Sequence, residues 1–129
     1  MVVCDTCVLV YDALAPKRLS KKARQVFDRA AEAGALACLD ISLWEIALLI
    51  RRGRLEVDVA SDRFLADVLT SRSYRVLAID AAVAATAAAL DALRDPADRL
   101  IAAASQVHSA RLLTSDEALR ATPGLHVVW

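Results

Sequence analysis

The chain has 129 residues, enough for one compact domain with a core of its own. Its 16 basic and 16 acidic residues cancel. That excludes a global field drawing in nucleic acid or an anionic membrane and leaves such partners to local patches. The chain is 57% hydrophobic, yet its longest stretch free of Asp, Glu, Lys and Arg, residues 100–110, is about half of what a membrane-spanning helix needs.

Val2–Cys4 predicts a short strand, and residues 8–14 an apolar turn or helix that ends before Pro16. Ser20 is placed to cap a helix that stops at Gly34. Residues 35–40, ALACLD, read as a buried strand. Residues 42–53, SLWEIALLIRRG, read as a helix capped by Ser42, with Glu45 in its first turn as the capping-box partner. Leu43, Trp44, Ile46, Leu48, Leu49 and Ile50 make that helix apolar on nearly every side, which predicts a buried helix with Trp44 in the core. Residues 59–71 carry Phe64, Leu65, Val68 and Leu69 at helical spacing.

Residues 75–79 read as the third strand, and Asp80 as the cap of an alanine-rich helix reaching Leu93. Pro96 opens a helix running to about Ser109. Strands at 111–114 and 125–128 follow, with a short helix at 117–121 between them. His108, late in its helix, and His126, inside the last strand, read as packed or surface residues.

Five short apolar strands alternating with helices predict an α/β fold, a parallel sheet covered on both faces, as one domain over residues 1–129. The opening MVVCD lacks the basic start and apolar core of a secretory signal, so the expected compartment is the cytoplasm. Cys4, Cys7 and Cys38 are an odd number, which argues against a disulfide framework. Cys4 and Cys7 form a C-x-x-C, but a zinc site would need further soft ligands, and only Cys38, His108 and His126 remain. Cys4 and Cys38 read instead as small apolar strand residues.

In such sheets chemistry gathers beyond the carboxyl ends of the strands, where the strand order reverses. Asp5, Asp40, Asp80 and the Ser115–Asp116 pair end the first four strands. With the first strand central, Asp5 and Asp116 face one crevice beside the fourth. Glu45 sits on a helix whose apolar sides demand a positive partner or a metal for its charge. Asp98 lies in the first turn of its helix. Each acid also has a local explanation, as a cap or a partner of a helix dipole. Together, carboxylates within a few ångströms repel one another unless a cation is present, and an all-oxygen donor set points to magnesium or manganese.

Only Gly34, Gly53 and Gly124 are present, so neither a phosphate-binding P-loop nor a dinucleotide fingerprint can form, and no nucleotide cofactor is expected. Metal-assisted phosphoryl hydrolysis is the remaining chemistry.

At DTCVLVY, SLWEIALLIRRGRL, YRVLAID, DPADRLIAAA, LLTSDEAL and the closing VVW, the sequence resembles the PIN-domain ribonucleases of the VapC type, toxins of toxin–antitoxin pairs. The resemblance spans almost the whole chain in the family's order. It implies a three-layer PIN fold and an acidic pocket for magnesium or manganese. Residue by residue, it makes Asp5, Glu45, Asp98 and Asp116 the catalytic and metal-binding acids, with Asp95 a cap and Thr6 and Ser115 polar support. Many relatives carry histidine where this chain has Cys7 and Leu93, and phenylalanine where it has Ala97. The implied partners are RNA, a small antitoxin covering the pocket and a second copy of the chain.

RNA phosphates would be met by local charge, at Arg51, Arg52 and Arg54 or at Lys17, Arg18, Lys21 and Lys22. With few aromatic platforms and Trp44 assigned to the core, the sequence predicts recognition of RNA by shape. Two rivals are an inactive PIN-fold module that only binds partners and a receiver-like signalling domain. The second needs a lysine near the last strand, and the only lysines are Lys17, Lys21 and Lys22.

Overall fold

Val2 and Cys4 of the first strand, β1 (Val2–Cys4), pack into one hydrophobic core and Val3 into another, and all three are buried. Strands buried on both faces belong to parallel sheets between helical layers, and that is the arrangement found. The structure, a computed structural model, describes residues 1–129. The other strands are β2 (Leu36–Leu39), β3 (Arg75–Leu77), β4 (Arg111–Leu113) and β5 (Val127–Val128). They form one sheet in the order β3-β2-β1-β4-β5, every pair parallel, with Val3 opposite both Ala37 and Leu112.

The chain steps outward from β1 to β3, then returns to add β4 and β5 on the other side. Strand order therefore reverses between β1 and β4, the pair expected to flank the crevice. A receiver-like sheet places β3 beside β1, so this order rules that architecture out.

Helices α1 (Thr6–Leu14), α2 (Lys21–Glu32), α3 (Asp40–Arg51) and α4 (Ser61–Ser71) cover the face of Val2, Cys4, Leu36 and Cys38, around Phe27 and Ile46. Helices α5 (Ala81–Ala88), α6 (Pro96–Val107) and α7 (Glu117–Arg120) cover the other face. There Ala102, Ala103 and Ala104 let α6 lie close against Val3, Ala37 and Leu112. No helix is long and apolar enough to cross a membrane.

Several elements differ from expectation for identifiable reasons. Helix α1 starts immediately after Asp5, whose Oδ1 accepts the Thr6 N–H at 2.8 Å. Helix α3 starts at Asp40, before Ser42, with Leu39 as N-cap and no side-chain cap. Ser42 is thus an interior residue, buried, with its hydroxyl bonded to that of Thr6 at 2.9 Å, and Glu45 belongs to no capping box. Nor is α3 buried: only Ser42 and Ile46 are fully covered, and Trp44, assigned to the core from sequence, is 59% exposed. Helix α5 stops at Ala88, leaving Leu93 buried in the following loop. β5 is shorter than expected, so His126 lies just before it, exposed.

Asp95 caps α6 by accepting the Ala97 and Asp98 N–H groups at 2.8 and 3.2 Å, with Pro96 following. Asp95→Ala is expected to lower stability by about 1 kcal/mol in urea titration, the usual worth of an N-cap.

Candidate active site

Asp5 leaves the carboxyl end of β1 only 6% exposed, and its charge is held by short-range donors. The Thr114 hydroxyl donates to its Oδ2 at 2.6 Å, and the Thr6 N–H to its Oδ1. Cys7 reaches Oδ2 with its Sγ at 3.7 Å. Thr114 follows β4 directly, and its hydroxyl also accepts the Asp116 N–H at 3.0 Å, so one threonine ties the ends of both switch-point strands together. Thr114 is not among the residues that the strand-end acids point to. Its signal was a hydroxyl closing an otherwise aliphatic strand, next to the Ser115–Asp116 pair.

Glu45 arrives from the second turn of α3, where its Oε1 accepts the Thr6 hydroxyl at 2.5 Å. Thr6 thus touches two carboxylates, one through its amide and one through its side chain. Asp98 projects from the first turn of α6, and its carboxylate accepts no hydrogen bond from the protein. Asp5, Glu45 and Asp98 line one cleft of about 290 Å³, together with Thr6, Cys7 and Tyr11, and no Lys, Arg or His is on its wall. Asp116 is not on that wall. It caps α7, accepting the Leu119 N–H at 3.0 Å, while its charge still acts on Asp5 and Asp98. Ser115 meets the Cys7 thiol at 3.5 Å and no carboxylate.

Burial pushes the Asp5 carboxyl above its ordinary range, against the opposing pull of the Thr114 and Thr6 hydrogen bonds. Glu45 is raised by burial, opposed by the Thr6 hydroxyl. Asp98 is pushed up to about 7, first by burial, then by the charges of Asp116, Asp5, Asp95 and Glu45. With no donor to hold its charge, it carries the repulsion of the whole set. Burial likewise raises the Cys4 and Cys7 thiols, and all three cysteines are free, so nothing here resembles an activated redox pair.

No group of three or more acidic, histidine or cysteine side chains has the geometry to hold a metal ion. The donors do suit a hydrated hard cation, because magnesium keeps several waters and is held by one or two carboxylates at a time. A separate cavity of about 360 Å³, at the opposite end of the sheet beside Arg111 and His126, has no carboxylate on its wall.

Arg51 closes α3 and Arg52 caps it, and Arg54 follows the turn at Gly53, where φ is +67°. All three arginines are exposed and none enters an ion pair. Lys17, Arg18, Lys21 and Lys22 are exposed at the α1–α2 junction.

The family model described as PIN domain matches residues 2–125. The chain belongs to the PIN-domain family. Among PIN relatives, Ribonuclease VapC22 of Mycobacterium tuberculosis is 36% identical over 121 residues, which cover 92% of this chain and 89% of that protein. The crystal structure of VapBC2 from Rickettsia felis, bound to a DNA fragment from their promoter, superposes with a TM-score of 0.75 at 17% identity, covering 99% of this chain and 98% of that one. FitAcB from Neisseria gonorrhoeae gives a TM-score of 0.70 at 22% identity, covering 100% and 97%. At these identities the two structures speak to the PIN fold alone, a sheet of five parallel strands between two helical layers.

Proposed function

We propose that this PIN-domain protein is a metal-dependent endoribonuclease, the toxin of a toxin–antitoxin pair, acting in the cytoplasm as one domain over residues 1–129. One observation carries the reading: three carboxylates from β1, α3 and α6 line a single cleft with no cation on its wall. Natural chains seldom keep so repulsive a cluster unless a ligand offsets it. The 36% identity to a ribonuclease over nearly the whole chain supports the substrate class.

Asp5, Glu45, Asp98 and Asp116 are the catalytic acids in this reading, and they would hold magnesium or manganese. Bound there, the metal would polarise the scissile phosphate and supply an activated water. Thr114 and Thr6 donate to Asp5, which opposes the effect of burial on its carboxyl and fixes one ligand in place. Thr6 orients Glu45 toward the same cleft. Asp98, whose proton is loosely poised near neutrality, is free to turn toward whatever cation enters. Asp116 contributes from the rim, its charge felt at Asp5 and Asp98. Ser115 keeps the Cys7 thiol in place rather than touching an acid. Arg51, Arg52 and Arg54 provide the positive charge for RNA phosphates beside this acidic cleft.

The partners in this reading are RNA, an antitoxin protein that covers the cleft and a second copy of the chain. The rival reading of an inactive partner-binding module is disfavoured because all four acid positions are filled. The test is to incubate purified protein with total cellular RNA, with manganese and with chelator, beside Asp5→Asn. Asparagine preserves the N-cap of α1, so the fold should survive. Cleavage is expected only with manganese and only for the wild-type chain. Equal cleavage by both proteins would trace the activity to a contaminant and remove the assignment.

A further inference from the structure

The amino ends of β4 and β5 carry basic residues where the carboxyl ends of β1 and β4 carry acids. Arg111 opens β4, and His126 immediately precedes β5. The two stand one register step before the Leu112–Val127 pair, with the His126 carbonyl accepting the Leu112 N–H at 2.9 Å. Neither side chain enters an ion pair. They line the cavity of about 360 Å³ together with Ser105, Gln106, Ser109 and Gly124, and its one apolar side chain is that of Ala110. The last turn of α6 also borders this cavity, and a helix C-terminus ordinarily repels an anion through its free carbonyls. Here those carbonyls are occupied: Ala104, Ser105 and Gln106 accept the N–H groups of His108, Ala110 and Ser109 at 3.1, 2.8 and 3.0 Å. Ser109 closes that turn at φ +50°, a left-handed position where glycine is the usual residue, so a hydroxyl is kept at the cavity against the preference of the backbone.

We propose that this cavity binds a phosphorylated sugar, the unit shared by a free mononucleotide and the phosphorylated end of an RNA chain. The Arg111 guanidinium, the His126 imidazole and the Ser109 hydroxyl supply donors for the three terminal oxygens of a phosphate monoester, and no carboxylate on the wall competes for them. The volume exceeds what a bare ion needs and lies in the range of small-molecule sites. Ser105 and Gln106 account for the remainder of the ligand. Ser105 is buried and spends its proton on the Ala102 carbonyl at 2.8 Å, so toward the cavity its oxygen can only accept. A hydroxyl-bearing sugar offers the donor that this oxygen lacks, and the Gln106 amide can both give and take a hydrogen bond. The site lies at the opposite end of β4 from Thr114 and Asp5, so it stands independently of the ribonuclease reading.

The test is a titration of the isotope-labelled full chain with adenosine 5′-monophosphate, followed by amide NMR in chelator so that no metal enters the acidic cleft. The backbone amides of Ser109, Ala110 and Arg111 and the side-chain amide of Gln106 should shift saturably. Adenosine should bind at least about tenfold more weakly, as loss of a charge-assisted contact predicts. Inorganic phosphate should shift the same amides with lower affinity. Arg111→Gln should weaken binding about tenfold without changing the melting temperature, since Arg111 has no internal ion pair to lose. Ser109→Gly should raise the melting temperature yet weaken binding, a separation that a purely structural serine would not produce. Asp5→Asn should bind as the wild-type chain does, even if that chain proves to cleave no RNA. Two RNA oligonucleotides then identify the source of the ligand. Shifts at these amides with a 5′-phosphorylated strand and not with its 5′-hydroxyl twin assign the site to an RNA end, and silence from both strands assigns it to a free mononucleotide. Unshifted amides at millimolar nucleotide, equal binding of adenosine, or unchanged affinity in Arg111→Gln would overturn the proposal.

Discussion

Asp98→Asn is expected to cut metal-stimulated RNA cleavage about a thousandfold while raising the melting temperature of the metal-free protein at pH 7. The first half follows from the proposed role of Asp98 as a metal ligand, whose charge would be worth about 4 kcal/mol in the transition state at such a site. The second half follows from Asp98 having no internal hydrogen-bond donor to lose. Its folded value of about 7 lies above the ordinary 3.8, so between those pH values the folded chain holds a proton that the unfolded chain has released. Stability must therefore fall as pH rises from about 4 to about 7. Asparagine is neutral throughout, so the variant should show a shallower decline, with Asp5 and Glu45 supplying what remains. Melting temperatures in chelator from pH 4 to 8, for both chains, read this directly. A variant that melts lower than wild type at pH 7 would make Asp98 a structural residue and undo the argument.

Much of this site is legible in the sequence because strand ends are legible. Short aliphatic runs each closed by Asp or Ser-Asp mark the carboxyl edge of a parallel sheet, and an early central strand puts Asp5 and Asp116 at the reversal. The division of labour in DPADR is legible too: Asp95 caps and Asp98 is left free. What fails is the environment of α3. Ser42 with Glu45 three residues later imitates a capping box, but the Ser42 hydroxyl is used by Thr6, a contact between residues far apart in the chain. Trp44 misleads for a related reason. A helix with Leu, Ile and Trp on nearly every side gives no direction to its apolar moment, so the pattern cannot say which side the fold leaves open. No local pattern marks Thr114, because its role depends on β4 lying beside β1.

The same limit applies to Asp12, which no sequence pattern singled out and which yields the largest expected loss of stability. Its side chain is only 8% exposed. Arg72, just after α4, approaches it with two parallel bonds of 2.9 Å, and Arg24 of α2 adds a third at 3.3 Å. Both guanidinium groups lie over the ring of Phe27, at 5.4 and 5.5 Å from its centroid. One carboxylate on α1 therefore fixes α2 and the end of α4 against the Phe27 core, while Asp5 and Thr6 at the other end of α1 hold the cleft. Removing one partner of a fully buried pair costs roughly 3–5 kcal/mol, but both arginines keep partial access to water and can turn out to it. Asp12→Ala is accordingly expected to cost about 2 kcal/mol, roughly 8 °C in melting temperature for a chain of this size. Arg72→Met should cost less, and the double variant less than the sum, since the two share one interaction. At temperatures where the variant stays folded, RNA cleavage should persist, because the Thr6 and Thr114 bonds set Asp5 independently of Asp12. Loss of cleavage without loss of stability would mean that α1 transmits strain from Asp12 to the cleft.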